Sequence, residues 1–248
     1  FDKVVIRSDQ GNMTYGEIED RSRLVANNLA AAGVRRGDSV ATMLEETHQV
    51  IAVWFACARA GFVEVPLSGE LKGDLLVEAV KGANCSVVIA NGGSEAIRQL
   101  ESIEERLPPI SEVADLERAA STDQFSDSPL EPDEVSLILY TSGTTGQSKG
   151  VRLTDRMTVR LAWSVIDNAG LTSDDILLTV FPLHHIAARF VSVVAAMLID
   201  SEVVIRERFS ASRFWKVCTE YGVTAVHYLG TLPMMLWNQP NNLQNEQS

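Results

Sequence analysis

Val135–Thr154 reads VSLILYTSGTTGQSKGVRLT. Val135–Tyr140 is a short apolar run of strand type that ends where the turn formers begin. Thr141–Gly150 then gathers Gly143, Gly146 and Gly150 with the hydroxyls of Thr141, Ser142, Thr144 and Thr145 and the ammonium of Lys149. Glycines reach the positive φ values that aim successive backbone N–H groups at one anion, and hydroxyls and a cation add donors to the same point. The stretch therefore predicts a strand that delivers a phosphate-binding loop. It is not the mononucleotide P-loop, which needs glycine directly before its lysine and Ser or Thr directly after it. Here Ser148 precedes Lys149 and Gly150 follows. A solvent-facing connection can have the same composition, so the loop's chemistry rests on its wider context.

The chain around it has 248 residues, 46% hydrophobic and 22% charged, enough for a substantial core in one large domain or two coupled ones. Thirty-three acidic against twenty-one basic residues give a formal charge of −12. That balance argues against nucleic acid or an anionic membrane surface as the main partner. A phosphate site in such a protein must make its own local positive patch. Cys57, Cys85 and Cys218 are widely spaced and contain no C-x-x-C pair. Neither a disulfide framework nor a zinc site is expected, and a reducing cytoplasm is. The apolar run Phe190–Ile199 is too short to span a bilayer.

Upstream, Val4–Ile6 and Met13–Thr14 read as two strands about a turn, and Thr14-Tyr15-Gly16-Glu17 has capping-box spacing for a helix stopped by Gly33. Strands at 40–44, 62–65 and 86–90 then alternate with helices at 47–60, 74–81 and 94–106. Ser121–Asp133 reads as an exposed acidic linker. Beyond the loop, Thr154 caps a helix to about Ala169, followed by a strand at 176–180, FPLHHIAARF, a helix through Met197, a strand at 202–205, a Ser210-capped helix to Tyr221 and a strand at 223–229. Alternation of this kind predicts an α/β fold with parallel sheets covered by helices. The Met234–Trp237 run is expected in the core.

YTSGTTGQSKGV resembles the phosphate-loop signature of the adenylate-forming superfamily, which includes acyl-CoA synthetases, amino-acid adenylation domains and beetle luciferases. Ser148 stands where most members carry proline. TYGEIEDRSRLVANNLAAAGVRRGDSVA and AGFVEVPLS are similar to the opening segments of acyl-CoA synthetases. HYLGTLPMMLWNQP is similar to the crotonobetaine/carnitine-CoA ligase branch. The resemblance implies two parallel-sheet α/β subdomains of the large N-terminal domain of these enzymes. In it, 34–155 forms one subdomain, 1–33 with 170–240 forms the other, and 241–248 is a polar tail. It also implies ATP, Mg2+, CoA and a small carboxylic acid as reactants. Thr141, Ser142, Gly143, Thr144, Thr145, Gly146 and Lys149 would hold the β- and γ-phosphates, with Thr144 or Thr145 near magnesium.

His184 and His185 are adjacent, with no ligand-spaced Cys, Asp or Glu, which suits buried or loop histidines better than a metal site. By resemblance F-P-L-H-H matches the family's P-x-F-H element. That makes His185 the acyl-site histidine and puts His184 where phenylalanine is commoner, with the two rings expected on opposite faces of an extended segment. Tyr228, Leu229, Gly230 and Thr231 would wall the acyl pocket. Pro182–Arg189 lacks the carboxylate an amino-acid adenylating enzyme would use. Adenylation of an amino or aryl acid for a carrier protein, and a non-catalytic nucleotide-binding module, stay open as alternatives. The family's magnesium glutamate, ribose aspartate and C-terminal lysine domain have no counterpart within 248 residues. The resemblance thus implies an N-terminal portion, inactive by itself and, with an unpaired sheet edge, prone to self-association such as a homodimer.

Overall fold

The computed structural model describes residues 1–92, 95–102, 107–118, 126–141, 149–206 and 208–239. The chain opens as a hairpin, β1 (Val4–Ser8) against β2 (Gly11–Thr14). Thr14 then caps α1 (Tyr15–Ala31) with the anticipated box: its hydroxyl accepts the Glu17 N–H at 3.2 Å, and the Glu17 carboxylate accepts the Thr14 N–H at 2.7 Å. There follow β3 (Ser39–Met43), α2 (Thr47–Ala60), β4 (Val63–Pro66), α3 (Gly73–Gly82), β5 (Cys85–Ala90), α4 (Glu95–Glu101), β6 (Ile110–Glu112), α5 (Val113–Arg118) and β7 (Val135–Thr141). After residues 142–148 the chain returns as β8 (Lys149–Thr154). It continues through α6 (Asp155–Ala169), β9 (Ile176–Thr179), a π-helix (Ala187–Val194), α7 (Ala195–Leu198), β10 (Glu202–Ile205), α8 (Ala211–Tyr221), β11 (Ala225–Val226) and α9 (Leu232–Trp237).

Two sheets result. One has six strands in the order β6-β5-β3-β4-β7-β8, and the other five in the order β11-β9-β10-β1-β2. Both are parallel except at β8 and β2, each an antiparallel edge. The inner strands are buried along nearly their whole length, as strands covered on both faces must be: β4 is buried at every position and β3 at all but its first.

Helix α2 is the seam. Val50 and Ile51 pack with Val5, Ala162 and Val203 toward the five-stranded sheet, while Val53, Ala56 and Cys57 pack with Val40 and Phe62 of the six-stranded one. The N-terminal segment divides across that seam. β1 and β2 join the later sheet, but Val25, Ala26 and Leu29 of α1 belong to the core around Val40, Phe62 and Val87. Ile18 of α1 packs in the core of the five-stranded sheet, so this helix touches both cores.

Other differences have local causes. The helix expected over 94–106 is described only at Glu95–Glu101, and β6 and α5 occupy a stretch without a periodic signal. The acidic segment before β7 is not simply solvated: Leu130 is buried, and the Ser128 N–H donates to the Arg59 carbonyl at 2.8 Å. Lys149 and Gly150, expected in the loop, are strand, because β8 completes the edge beside β7. The strand expected at 223–229 shortens to β11, paired with β9 only at Leu177 and Leu178. Met234, Met235 and Trp237 are exposed rather than core, and α9 buries Leu232 instead. Among the described residues no helix is long and apolar enough to cross a membrane.

Of the left-handed glycines that end helices, Gly61 and Gly170 have different surroundings. Gly61 (φ +69) closes α2, and a Cβ there would stand 2.3 Å from the Ser128 carbonyl oxygen. Gly170 (φ +64) closes α6 in open space. Gly170→Ala should cost about 1–2 kcal/mol, the strain of a left-handed alanine. Gly61→Ala should cost more, because the Ser128 backbone must also move. Urea unfolding of the two variants checks this, and equal midpoint shifts would contradict it.

Candidate functional site

β7 reaches its loop with Thr141 opposite Lys149, Tyr140 opposite Gly150 and Leu139 opposite Val151. The ends of the 142–148 connection are thus closed by a pair of hydrogen-bonded strands. Ser142, Gly143, Thr144, Thr145 and Gly146 lie outside the described residues, so the structure supplies the frame of the loop. Beside that frame is a cleft of ≈ 430 Å³ lined by Glu78, Gly82, Ile138, Tyr140, Lys149, Gly150 and Arg152. Lys149 and Arg152 give it two exposed cations in a strongly acidic protein. The Tyr140 hydroxyl donates to the Ala79 carbonyl at 2.8 Å and ties the end of α3 to β7. Burial raises its pKa, so at neutral pH it is a donor and not a base.

Gly150 corrects one reading. It sits in extended β8, not at positive φ, and a Cβ there would stand 2.9 Å from Ile138 Cγ2 and 3.2 Å from the Tyr140 ring. Its role is to let β7 side chains lie over β8.

The second element follows β9. Phe181–His185 is a turn rather than an extended segment: the His185 N–H donates to the Pro182 carbonyl at 2.9 Å. The Nδ1 of His185 accepts the Ala187 N–H at 3.2 Å, which leaves Nε2 as the protonated nitrogen of the neutral ring. The exposed ring stacks on Phe181 at 5.9 Å, and Phe181 in turn meets His227 at 6.1 Å. Burial, with the neighbouring His185 charge, lowers the His227 pKa. His184 is half-buried and its pKa is also lowered, first by burial, then by the Arg189 and His185 charges, with Glu70 opposing. The adjacent rings therefore sit in different surroundings although the backbone turns. His227 was not singled out by sequence reasoning. Its signal is a histidine directly after an apolar strand and before Tyr228. Among the described residues no His, Cys, Asp and Glu side chains group with metal-binding geometry.

Between these elements lies a pair that no motif announces. Arg189, in the π-helix, is fully buried, and Glu64, in the middle of β4, is 2% exposed. Arg189 Nη1 donates to Glu64 Oε2 at 2.6 Å and Nη2 to Glu64 Oε1 at 2.8 Å. Its Nε donates to the Leu183 carbonyl. The Thr42 hydroxyl adds a bond to Glu64 at 3.2 Å, and the guanidinium carbon lies 4.6 Å from the Trp54 ring centroid. Glu64 is the β4 residue in register with Leu137 of β7. Leu137 and Leu139 pack with Phe190 and Ile186, so the loop strand and the histidine turn share one support. A lone glutamate within GFVEVPL and a lone arginine within HIAARFVSVV are the only trace in the sequence.

Tyr228 and Leu229 are exposed, Gly230 turns at φ +60 and Thr231 precedes α9. Tyr228 lines a groove of ≈ 900 Å³ between α8 and α9 with Trp215, Leu232 and Trp237. His185 and Phe181 do not line it. The structure thus brings together Thr141 with Lys149, and His185 with Phe181 and His227, while of Tyr228–Thr231 only Tyr228 lines the α8–α9 groove.

A sequence profile for "AMP-binding enzyme" matches residues 2–248. Mouse long-chain fatty acid transport protein 6 is 28% identical over 253 residues, covering 92% of this chain and 39% of the relative. The crotonobetaine/carnitine–CoA ligase of Salmonella agona is 27% identical over 243 residues, covering 90% and 46%. The chain therefore spans less than half the length of these curated relatives. Among solved structures, o-succinylbenzoate CoA synthetase of Bacillus subtilis superposes with TM-score 0.86 at 24% identity, covering 97% of this chain and 48% of that one. The same enzyme with ATP and magnesium ion superposes at 0.83, with 23% identity, 97% of this chain and 64% of that one. ATP-bound MatB of Rhodopseudomonas palustris superposes at 0.85, with 24% identity, 96% of this chain and 48% of that one. These likenesses establish the fold, two parallel-dominated sheets of the N-terminal domain of such synthetases. With the profile running over almost the whole sequence, the chain belongs to the AMP-binding enzyme family.

Proposed function

We propose that the protein is an AMP-forming carboxylic acid–CoA ligase, of which these residues carry the phosphate loop and part of the acyl site. The observation behind this reading is the closed β7–β8 frame. It holds Thr141 opposite Lys149 at the ends of a glycine- and hydroxyl-rich loop, with Arg152 on the same cleft. In the proposed reaction the substrate carboxylate attacks the α-phosphate of ATP, pyrophosphate leaves, and the thiol of CoA then displaces AMP from the acyl-adenylate. Transfer at phosphorus is governed by positioning and charge neutralisation, and backbone N–H groups, hydroxyls and a lysine supply both. Thr141, Ser142, Gly143, Thr144, Thr145, Gly146 and Lys149 hold the β- and γ-phosphates in this reading. Thr144 or Thr145 would help hold magnesium bound with ATP, and the ion would supply neutralisation of phosphate charge. His185, its orientation set by the Ala187 N–H, lines the acyl side with Phe181 and His227.

The relatives support an acyl substrate and CoA as the thiol. A cytoplasmic site and a homodimer belong to the same proposal. Pyrophosphate exchange by the intact protein over a panel of acids tests it: exchange with acyl or betaine-like acids supports the ligase. Exchange only with amino acids, or with no acid, sets it aside.

Lys149→Ala should lower exchange by about 10²–10³-fold, the effect of removing one donor that acts on transition-state charge. Lys149 is exposed, so the unfolding temperature should stay unchanged, and wild-type exchange would remove this lysine from the mechanism. His185→Ala should change acid preference or acyl turnover more than His184→Phe does. The His184 variant has its own signature. A histidine whose pKa is lowered in the fold takes up its proton more readily unfolded, so stability falls as pH drops through about 6.5. His184→Phe should flatten that part of the stability profile, and an unchanged slope would show that His184 does not contribute.

Residues 1–248 alone should make no acyl-CoA, since they span less than half of the relatives' length. Thioester formation by this chain at the rate of the intact protein would overturn that.

A further inference from the structure

Arg189 makes two contacts with the histidine turn and two with the other sheet. Its Nε donates to the Leu183 carbonyl and its backbone N–H to the His185 carbonyl at 3.3 Å, so the carbonyls flanking His184 are both held by one residue. Its Nη1 and Nη2 lie on Glu64 of β4. We infer that the Arg189–Glu64 pair is a positioning device for the candidate acyl subsite: Glu64 fixes the guanidinium from the six-stranded sheet, and the guanidinium sets the turn that carries His185. The inference rests on the ligase reading for its functional meaning and on geometry alone for its structural one.

Stability does not account for such a pair. Removing two charges from water costs several kcal/mol each, and well-packed apolar residues of similar volume often stabilise a core as well or better. An apolar pair cannot hold the Leu183 carbonyl, which only the guanidinium Nε reaches, whereas the backbone bond to the His185 carbonyl is open to any residue but proline at 189. A lysine cannot replace the arginine either, because its single ammonium cannot reproduce a planar fork that satisfies Glu64 bidentately while Nε reaches Leu183. The setting agrees: Arg189 lies in a π-helical segment, a geometry often found at functional sites, and the segment begins two residues after His185. The pair also sits in register with Leu137 of the loop strand, so the turn is set relative to the phosphate frame and not merely to its own sheet.

The experiment compares Glu64→Leu, Arg189→Lys and the double variant Glu64→Leu/Arg189→Met in the intact protein. It uses unfolding midpoints, amide hydrogen exchange at His185 and Ala187, His184 titration by NMR, and steady-state kinetics. Glu64→Leu should be strongly destabilised and the double variant should recover most of the loss. Yet in the double variant exchange at His185 and Ala187 should accelerate about tenfold, the equivalent of one net hydrogen bond, and the His184 pKa should rise as the Arg189 charge is removed. Arg189→Lys keeps the charge, so His184 titration should barely move while exchange still accelerates. If Glu64→Leu does not fold, Arg189→Lys carries the comparison.

In the ligase assay the KM for acid should rise and that for ATP should not. A double variant with wild-type amide exchange and acid KM would overturn the inference and leave the pair a packing element. Absence of pyrophosphate exchange in the wild type would sink the ligase reading instead, and the amide measurements would still decide whether the pair positions the turn.

Discussion

A buried charge must find its counter-charge and its hydrogen bonds or give up its charge, and in this protein that requirement joins the two sheets. Glu64 lies on a strand whose other positions are apolar or proline, and Arg189 lies in an apolar helix. Neither is tolerable alone. Losing one partner of such a pair costs roughly 3–5 kcal/mol, a large share of a typical domain's stability. The partners are far apart in sequence, so folding satisfies both only when β4 and the π-helix arrive at one relative position. Thr42 and Trp54 then complete the environment from β3 and α2.

The rest of the site hangs on that arrangement. Leu137 beside Glu64 begins the face of β7 that packs on Phe190, and β7 ends at Thr141, where the loop starts. On the other side Arg189 holds the turn that stacks His185 on Phe181. In the proposed ligase, the loop and the histidine turn would have to be fixed relative to each other for one carboxylate to meet one phosphorus. The shared support between the sheets, Leu137 and Leu139 on Phe190, would supply that.

Where expectation and structure part, the missing information was long-range. Gly150 reads as one more loop glycine until β8 pairs with β7 and leaves no room for a Cβ. α1 reads as part of the later sheet's layer, and Ile18 joins that core while Val25, Ala26 and Leu29 join the other. Met234 to Trp237 reads as core by composition, yet α9 turns Leu232 inward and leaves Met234, Met235 and Trp237 exposed. His184 and His185 read as an extended pair until the Pro182 carbonyl takes the His185 N–H.

The sequence by itself determined the α/β class and most element positions, because these rest on short-range physics. Capping geometry at Thr14, the helical stop at Gly33, and the run of glycine, hydroxyl and lysine at 141–150 are all written within a few residues. It also carried enough of the family's order and spacing to show which enzymes the chain resembles. Only the tertiary structure decided that α1 and α2 form the seam, that His227 joins His185 through Phe181, and that Glu64 and Arg189 are partners. Those facts depend on pairing across 125 residues for the ion pair alone, and local sequence does not encode which distant residue will neutralise a buried charge.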